Sequence, residues 1–258
     1  MPYAVCCVPV SPLRAEPSHR SEMVTQQLFG ESCEILEREK DHWIKIRCQY
    51  DNYEGWCQDS HVTSIDEEQF RKGERHLTPE WVNELEYNGH PMMVPFGSSL
   101  TAMKNGNALW RRNTVHYKGK TWDPYEIKPS GKIIKQLAFK FYNTPYLWGG
   151  KSIFGIDCSG FAQTVYKFIG IPLLRDTYQQ ATQGEVIGFL QEAKCGDLAF
   201  FDNEDRRITH VGILLNSHEI IHASGKVRVD KIDSQGIVNS ETAQRTHQLR
   251  IIKRYFEE

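Results

Sequence analysis

The sequence predicts an α+β protein in which two small all-β barrels precede a C-terminal domain of helices followed by antiparallel strands. Three observations support this fold class. Residues 1–66 contain short segments of alternating polarity that are separated by Gly and Asn-Asp turns. A second and more divergent set of such segments, with Asn-Gly and Lys-Gly-Lys turns, occupies residues 80–128. After Pro129 the hydrophobic period becomes that of amphipathic helices.

The strand pattern is clearest in the segment WIKIRC. Ile44, Ile46 and Cys48 fall on one face, and Trp43, Lys45 and Arg47 fall on the other. The segment TPEWVNELEYN at 78–88 is interpreted as a short helix or a connecting segment. The predicted domains are a first barrel (1–66), a charged linker (67–79), a second barrel (80–128) and an α+β domain (129–258).

The C-terminal region predicts two helices and then a run of strands. Ile133, Ile134, Leu137 and Phe141 recur at helical spacing before Asn143 and Pro145 end the first helix. The second helix begins near Cys158, and Phe161, Val165 and Ile169 form its apolar face. The predicted strands lie within 193–202, 208–216, 218–225 and 247–256.

Composition excludes several classes of function. The 258 residues carry a formal net charge of −2, which gives no reason to expect nucleic acid as a partner. No apolar run approaches the ~18–20 residues of a membrane span. The seven cysteines are odd in number and include no C-x-x-C pair, so we expect a reduced compartment and no structural zinc. A cytoplasmic location is expected, or a periplasmic or exported one if a leader has been removed.

Cys158 is the first candidate for chemistry, because it occupies the first turn of a predicted helix. Asp157 is placed to cap that helix, and a helix N-terminus favours negative charge. We therefore expect a lowered thiol pKa and an increased thiolate population. Gly155 and Gly160 leave room for a ligand to approach the backbone. The alternative interpretation is a small cysteine buried in the core.

A thiol nucleophile needs a base, and two histidines on adjacent predicted strands are candidates. A three-residue loop at 216–218 would pair Gly212 with His222, which places His210 and His222 on the same face of the hairpin. A loop of even length would separate them. For each histidine alone, a polar strand residue is the alternative.

The remaining histidines near these strands carry no predicted role. His218 and His247 are interpreted as surface residues or polar strand residues. A catalytic zinc bound by Cys158, His210 and His222 is a further alternative, but it ranks below the thiol because no close ligand spacing fixes a metal.

Six blocks in order resemble the catalytic domain of NlpC/P60-type peptidoglycan endopeptidases, which are papain-like cysteine peptidases. The blocks are TPYLWGG, GIDCSGF, RDTYQQ, CGDLAFF, THVGILL and HASG, and the resemblance covers about residues 131–258. The segments before them resemble bacterial SH3-like domains. The resemblance therefore implies a papain-like NlpC-type catalytic domain preceded by two SH3-like barrels.

The resemblance implies a role for each matching residue. Cys158 corresponds to the nucleophile, His210 to the general base and His222 to the polar residue that orients the base. Tyr146 corresponds to a tyrosine beside the cysteine that helps to hold the oxyanion. The family needs no metal and no cofactor.

The resemblance also implies a substrate. The family cleaves the bond between γ-D-glutamate and a diamino acid in peptidoglycan stem peptides, so the expected partners are peptidoglycan-derived peptides. Relatives with two SH3-like domains recycle peptides that carry a free N-terminal L-alanine. The matching positions for the amine are Asp157 and Asp176 with Ser159 and Thr177, and Tyr53 would close the pocket. Thr177 replaces a serine that is frequent in relatives and keeps the hydroxyl.

Several alternatives stay open at this point. Asp157 could be only a helix cap, Asp176 could begin the next helix, and Tyr53 could be an ordinary strand aromatic. The same scaffold could instead serve a thiol acyltransferase, an amidase or an inactive wall-binding protein. The choice between lysine and diaminopimelate as the diamino acid is also open.

Overall fold

The structure of the protein is a computed structural model that describes residues 2–73 and 75–257. The chain forms two compact units. Unit 1 comprises Met1–Glu126 and Trp148–Ile153, and unit 2 comprises Ile127–Leu147 and Phe154–Glu258. The domain boundaries given above stay predictions.

Unit 1 begins with a seven-stranded antiparallel sheet. Its strands are β1 (Tyr3–Cys6), β2 (Val10–Arg14), β3 (Met23–Leu28), β4 (Ser32–Arg38), β5 (Trp43–Cys48), β6 (Glu54–Gln58) and β7 (Val62–Ser64). They lie in the order β3-β2-β6-β5-β4-β1-β7. A 3₁₀ turn at Asp59–His61 precedes β7.

The alternation predicted for β5 is confirmed. Ile44, Ile46 and Cys48 are buried together in one apolar cluster. Trp43, which was expected on the opposite face, is also buried, and its ring lies 5.0 Å from the ring of His19. Burial of the alternate residues stabilises this register, because a shift of one residue would expose all three.

The remainder of unit 1 contains a short helix and a second sheet. The elements are α1 (Glu67–Lys72), β8 (Val82–Tyr87), β9 (His90–Pro95), β10 (Asn107–Trp110) and β11 (Asn113–His116), followed by a 3₁₀ turn at Pro124–Glu126. The four strands lie in the antiparallel order β10-β11-β8-β9. Helix α1 begins at a capping box in which Asp66 and Gln69 bond each other's backbone.

The interpretation of 78–88 as a helix or a connecting segment is wrong, because Val82–Tyr87 forms strand β8. Asn83 and Leu85 are buried while Glu84 between them is exposed, which is the period of a half-buried strand. Pairing with β9 supplies the backbone hydrogen bonds. Pairing between strands overrides the weak helix preference of such a short segment.

The next part of the chain carries the helices of unit 2. They are α2 (Gly131–Phe139), α3 (Cys158–Lys167) and α4 (Thr177–Gln180). Two two-residue strands precede α3 in the chain: β12 (Lys151–Ser152), which belongs to unit 1, and β13 (Gly155–Ile156), which belongs to unit 2. Ser130 caps α2 by accepting the backbone N–H of Ile133. All ten residues of α3 are buried, so this helix forms the centre of unit 2.

An antiparallel sheet completes unit 2. Its strands are β14 (Glu185–Ile187), β15 (Leu198–Asp202), β16 (Ile208–Leu214), β17 (Glu219–Ser224), β18 (Lys226–Asp233), β19 (Gly236–Val238) and β20 (Arg245–Arg254), with a 3₁₀ turn at Leu190–Glu192. They lie in the order β14-β20-β15-β16-β17-β18-β19, and β19 also pairs with β20. This second pairing closes β15–β20 into a barrel, against which α3 packs through β16 and β17. The predicted α+β class is confirmed.

Two further features concern the whole described chain. Within residues 2–73 and 75–257, no helix has both the length and the hydrophobicity required to cross a membrane. The seven cysteines, all within the described residues, form no disulfide.

Candidate active site

The thiol of Cys158 lies at the N-terminus of α3 in polar surroundings. Asp157 is the N-cap residue, and its Oδ1 accepts the backbone N–H of Gly160 at 2.7 Å. The sulfur lies 4.0 Å from Oγ1 of Thr177, and a backbone hydrogen bond from Val211 on β16 also reaches it. The side chain is only 5% exposed. Cys158 is therefore buried, as the core alternative supposed, but polar groups from three elements converge on it.

The expectation of a lowered thiol pKa is wrong for this structure. Burial, together with the negative charge of Asp157, raises the pKa of Cys158 to about 11. The hydrogen bonds from Val211 and Thr177 and the charge of Arg175 oppose this rise without cancelling it. The helix terminus had suggested a thiolate, but the cost of desolvating an anion is the larger effect. The thiol at rest is neutral at pH 7.

The hairpin predicted for the two histidines is confirmed. Gly212 pairs with His222 across β16 and β17, and Nε2 of His210 lies 2.8 Å from Nδ1 of His222. A Cβ on Gly212 would stand 2.9 Å from Cβ of His222, so the hairpin requires glycine there. His218 at the turn is exposed, as expected.

The electrostatics of the site keep the His210 imidazole neutral. Burial lowers the pKa of His210 well below its ordinary value, and positive charge on His222 or His247 would lower it further. A neutral imidazole holds one nitrogen free to accept a proton. Near pH 7 the site therefore offers a neutral thiol at Cys158 and a neutral imidazole at His210, and their roles as nucleophile and general base stay predictions.

Two residues that sequence reasoning missed extend this arrangement. Asp230 on β18 is 2% exposed, and its Oδ2 lies 3.0 Å from Nε2 of His222. The Arg228 guanidinium forms an ion pair with the same carboxylate, with Nε 2.9 Å from Oδ2, and its Nη2 donates to Oδ1 at 3.1 Å. The alternation in KVRVDKID, directly after the Ser-Gly turn that ends β17, was a signal that could have placed Asp230 beside His222.

His247 was interpreted as a surface or polar strand residue, and it is a half-buried residue of β20 that lies against His210. Its ring stacks on the ring of His210 with a centroid distance of 4.1 Å and an interplanar angle of 25°. Burial and the charge of His222 lower the pKa of His247 to about 4. Sequence reasoning missed this contact because it predicted neither β18 nor β19, and β19 is the strand that pairs Ile237 with His247.

Tyr146 is half-buried. Burial is the main cause that raises the pKa of its hydroxyl, and the proximity of Cys158 and of the Asp157 carboxylate raises it further. The hydroxyl therefore stays protonated and can donate a hydrogen bond. A bridge between Tyr146 and Ile156 holds its backbone next to the segment that leads into α3.

Arg175 organises the residues predicted to bind an amine. Its guanidinium is 1% exposed and donates to both oxygens of Asp157, at 3.1 Å and 2.7 Å, and to Oγ of Ser159 at 2.8 Å. Asp176 follows it directly, is half-buried and is the N-cap residue of α4. Asp157 therefore caps α3, and Asp176 begins α4, as the alternative interpretations of these two residues proposed. Sequence reasoning missed Arg175 although it stands in the same Arg-Asp-Thr block.

Tyr53 lies in unit 1, in the loop immediately before β6. It is half-buried, and its backbone N–H donates to Oδ1 of Asp51 at 3.0 Å. Tyr53 precedes the first residue of β6, so the alternative interpretation of Tyr53 as an ordinary strand aromatic is wrong. Its part in substrate binding stays a prediction.

The histidine cluster could in principle offer metal ligands. His210, His222 and His247 present ring nitrogens within 4.8 Å of one another. However, the rings of His210 and His247 stack nearly parallel, so their lone pairs do not converge on one point as tetrahedral zinc requires. Cys158 is not a member of this group. The geometry therefore fits a hydrogen-bonded chain of imidazoles better than a zinc site.

Comparisons with known proteins agree with this architecture. Residues 143–246 match the NlpC/P60 family, and residues 13–62 match the bacterial dipeptidyl-peptidase Sh3 domain. A Lysinibacillus sphaericus protein named dipeptidyl-peptidase 6 is 25% identical, over 90% of this chain and 92% of its own length. A Bacillus cereus protein named gamma-D-glutamyl-L-lysine dipeptidyl-peptidase is 24% identical, over 89% and 77% respectively.

A crystal structure of an NlpC/P60 family protein from Bacillus cereus has the same fold. It superposes with a TM-score of 0.81 at 19% identity, and the match covers 98% of this chain and 99% of the other. The α+β unit thus has the NlpC/P60 fold, and it follows an SH3-like N-terminal region. Taken with the two family matches, these similarities lead to one conclusion: the chain belongs to the NlpC/P60 family of peptidases.

Proposed function

We propose that the protein is a cysteine endopeptidase that hydrolyses the bond between a γ-D-glutamyl residue and an L-diamino acid in peptidoglycan stem peptides. One observation carries the proposal: a buried thiol at the start of α3 packs against β16, whose His210 is hydrogen-bonded to His222. The name of the similar Bacillus cereus protein, gamma-D-glutamyl-L-lysine dipeptidyl-peptidase, supports the same bond class.

The proposed chemistry uses the neutral thiol and the neutral imidazole. As the sulfur of Cys158 attacks the γ-carbonyl carbon, His210 accepts the thiol proton, and a tetrahedral intermediate forms. His210 then gives this proton to the amine of the diamino acid, and the C–N bond breaks to leave a thioester. Water, deprotonated by His210, attacks the thioester and regenerates the thiol.

Two donors would stabilise the oxyanion. The backbone N–H of Cys158 is at the first turn of α3, where the helix leaves N–H groups without intrahelical acceptors. The protonated hydroxyl of Tyr146 is the second candidate, because its pKa is raised by burial and by nearby negative charge. A donor aimed at developing charge typically contributes about 10²–10³ in kcat.

Charge balance supports recognition of a free N-terminal amine. Asp157 is already neutralised by Arg175, so the pair alone offers no net charge to an ammonium. Asp176 adds one negative charge, which leaves this group of three with a net charge of −1. An N-terminal ammonium would restore neutrality, with Ser159 and Thr177 as further acceptors. Tyr53 remains the candidate for closing the pocket.

The test is cleavage of L-Ala-γ-D-Glu-diamino acid tripeptides, followed by mass spectrometry. Free and N-acetylated forms are compared, each with lysine or diaminopimelate as the last residue. We expect cleavage of the free peptides only, and none by Cys158→Ala. Asp176→Asn should raise KM for the free peptide at least tenfold, whereas Asp205→Asn in an exposed loop should leave it unchanged.

Other results would redirect the proposal. Equal cleavage of free and acetylated peptides would support the proposed peptidase activity but would reject the proposed recognition of a free amine. No cleavage by enzyme with a reduced Cys158 would favour a thiol acyltransferase or an amidase on this scaffold. A cytoplasmic location also remains a proposal, which cell fractionation would test.

A further inference from the structure

The carboxylate of Asp230 forms the end of a buried hydrogen-bonded chain that leads to the proposed base. Asp230 lies opposite Ile220 in the β17–β18 pair, on the same face as His222. Its Oδ2 is 3.0 Å from Nε2 of His222, and Nδ1 of His222 is 2.8 Å from Nε2 of His210. All three side chains are buried.

The surroundings of Asp230 keep it ionised despite burial. Burial alone would raise its pKa, but hydrogen bonds from His222, the backbone N–H of Ser240 and Arg228 together hold the pKa well below the ordinary value. The N–H of Ser240 lies 2.8 Å from Oδ1, and Nη2 of Arg228 lies 3.1 Å from the same atom. An ionised carboxylate can only accept hydrogen bonds.

Because the Asp230 carboxylate can only accept, the position of each proton along the hydrogen-bonded series Asp230–His222–His210 is determined. Since Asp230 accepts, Nε2 of His222 must carry a hydrogen. In neutral His222 the other nitrogen, Nδ1, then has a free lone pair and accepts from Nε2–H of His210. Nδ1 of neutral His210 is left without a hydrogen. That nitrogen is the only one on the ring that can take a proton from a thiol.

We propose that Asp230 is a positioning residue of the peptidase reaction: through His222, it fixes the tautomer of His210 in which Nδ1 is the base. This inference rests on the proposed function, since it assigns a role to the same site. Asp230 touches neither substrate nor thiol and acts only through His222. The arrangement is the imidazole counterpart of an acid that orients a catalytic histidine.

A purely structural role for Asp230 is the alternative, because the same carboxylate pairs with Arg228 on β18 and accepts the backbone N–H of Ser240, which follows β19. Asp230→Asn separates the two roles. The asparagine has nearly the same shape and can still accept from Ser240. Its amide group can donate to Nε2 of His222, which would reverse the proton positions along the chain. His210 would then carry its hydrogen on Nδ1 and could not accept the thiol proton.

The first measurement uses the unaltered protein. In ¹⁵N-histidine NMR at neutral pH, we expect His222 protonated on Nε2 and His210 protonated on Nε2 with Nδ1 unprotonated. Protonation of His210 on Nδ1 in the unaltered protein would overturn the proposal. This measurement does not depend on activity, so failure of the proposed function and failure of the tautomer assignment remain distinguishable.

The second measurement compares variants with the free tripeptide. Asp230→Asn should lower kcat about 10²–10⁴-fold with KM within about threefold, and should move the His210 proton to Nδ1. Asp230→Glu, which retains the carboxylate, should recover part of kcat. Asp233→Asn on the same strand, where the carboxylate is exposed and paired with Arg245, should leave kcat unchanged. A kcat for Asp230→Asn within threefold of the unaltered protein would reject the proposal.

Discussion

Replacing Arg175 with methionine tests how strongly the buried ion pair stabilises unit 2. The Arg175 and Asp157 side chains are 1% and 9% exposed, and two hydrogen bonds of 2.7 Å and 3.1 Å join them. Removing the guanidinium leaves the Asp157 carboxylate in a low-dielectric site with its cation lost. Breaking one partner of such a pair costs about 3–5 kcal/mol in the free energy of unfolding.

A matched arginine provides the control. Arg245 donates to both oxygens of Asp233 at 2.7 Å, but these side chains are 37% and 50% exposed. Solvent screening limits such a pair to about 0–1 kcal/mol, so Arg245→Met should be nearly neutral. Both arginines donate to both oxygens of their aspartates, so the difference in the free energy of unfolding between the two variants mainly measures the effect of burial.

The assay must report on unit 2. All six tryptophans lie in unit 1, so tryptophan fluorescence follows unit 1, and far-ultraviolet circular dichroism is needed for the strands of unit 2. Urea unfolding followed by both signals gives the two transitions separately. Adding Asp157→Asn to Arg175→Met removes the stranded charge and should recover at least about 1 kcal/mol. Equal losses for Arg175→Met and Arg245→Met would refute the reasoning.

Two further predictions concern Tyr146 and His247. Tyr146→Phe should lower kcat for the free tripeptide about 10²–10³-fold with KM within about twofold, since only the oxyanion donor is removed; an unchanged kcat would contradict this role. The pKa of His247 is about 4 in the folded protein and near 6.5 in the unfolded chain. Between these two values the unfolded state binds more protons than the folded state. The free energy of unfolding therefore falls as pH drops from about 6.5 to about 4. In urea unfolding between pH 4.5 and 7, His247→Gln should reduce the pH dependence of the free energy of unfolding by up to about 1.4 kcal/mol per pH unit. Parallel pH profiles for the variant and the unaltered protein would contradict this prediction.

The sequence predicted the parts of the site that depend on local rules. A three-residue loop sets the parity of a hairpin, and so Gly212 and His222 were paired correctly. Asp157 was recognised as a helix cap because an Asp before an apolar-periodic segment is a local signal.

The rest of the site depends on distant strand pairing and on burial. His247 reaches His210 because β20 closes the barrel against β15 and β19, and bulges in both pairings shift a register that local turn rules do not predict. The thiol pKa of Cys158 was predicted in the wrong direction, because a helix terminus is visible in sequence while the extent of desolvation is not. Arg175 and Asp230 are charged residues, and sequence reasoning expects such residues at the surface unless a buried partner is known.

The most direct test of the account is the covalent state of Cys158 during turnover. The enzyme is mixed with L-Ala-γ-D-Glu-lysine or its diaminopimelate analogue, quenched with acid within milliseconds to seconds, and digested for peptide mass spectrometry. The account predicts an L-Ala-γ-D-Glu acyl group on the peptide that contains Cys158, and neither adduct nor cleavage with Cys158→Ala. Continued cleavage by Cys158→Ala, or an acyl group on a different residue, would contradict the assignment of Cys158 as the nucleophile.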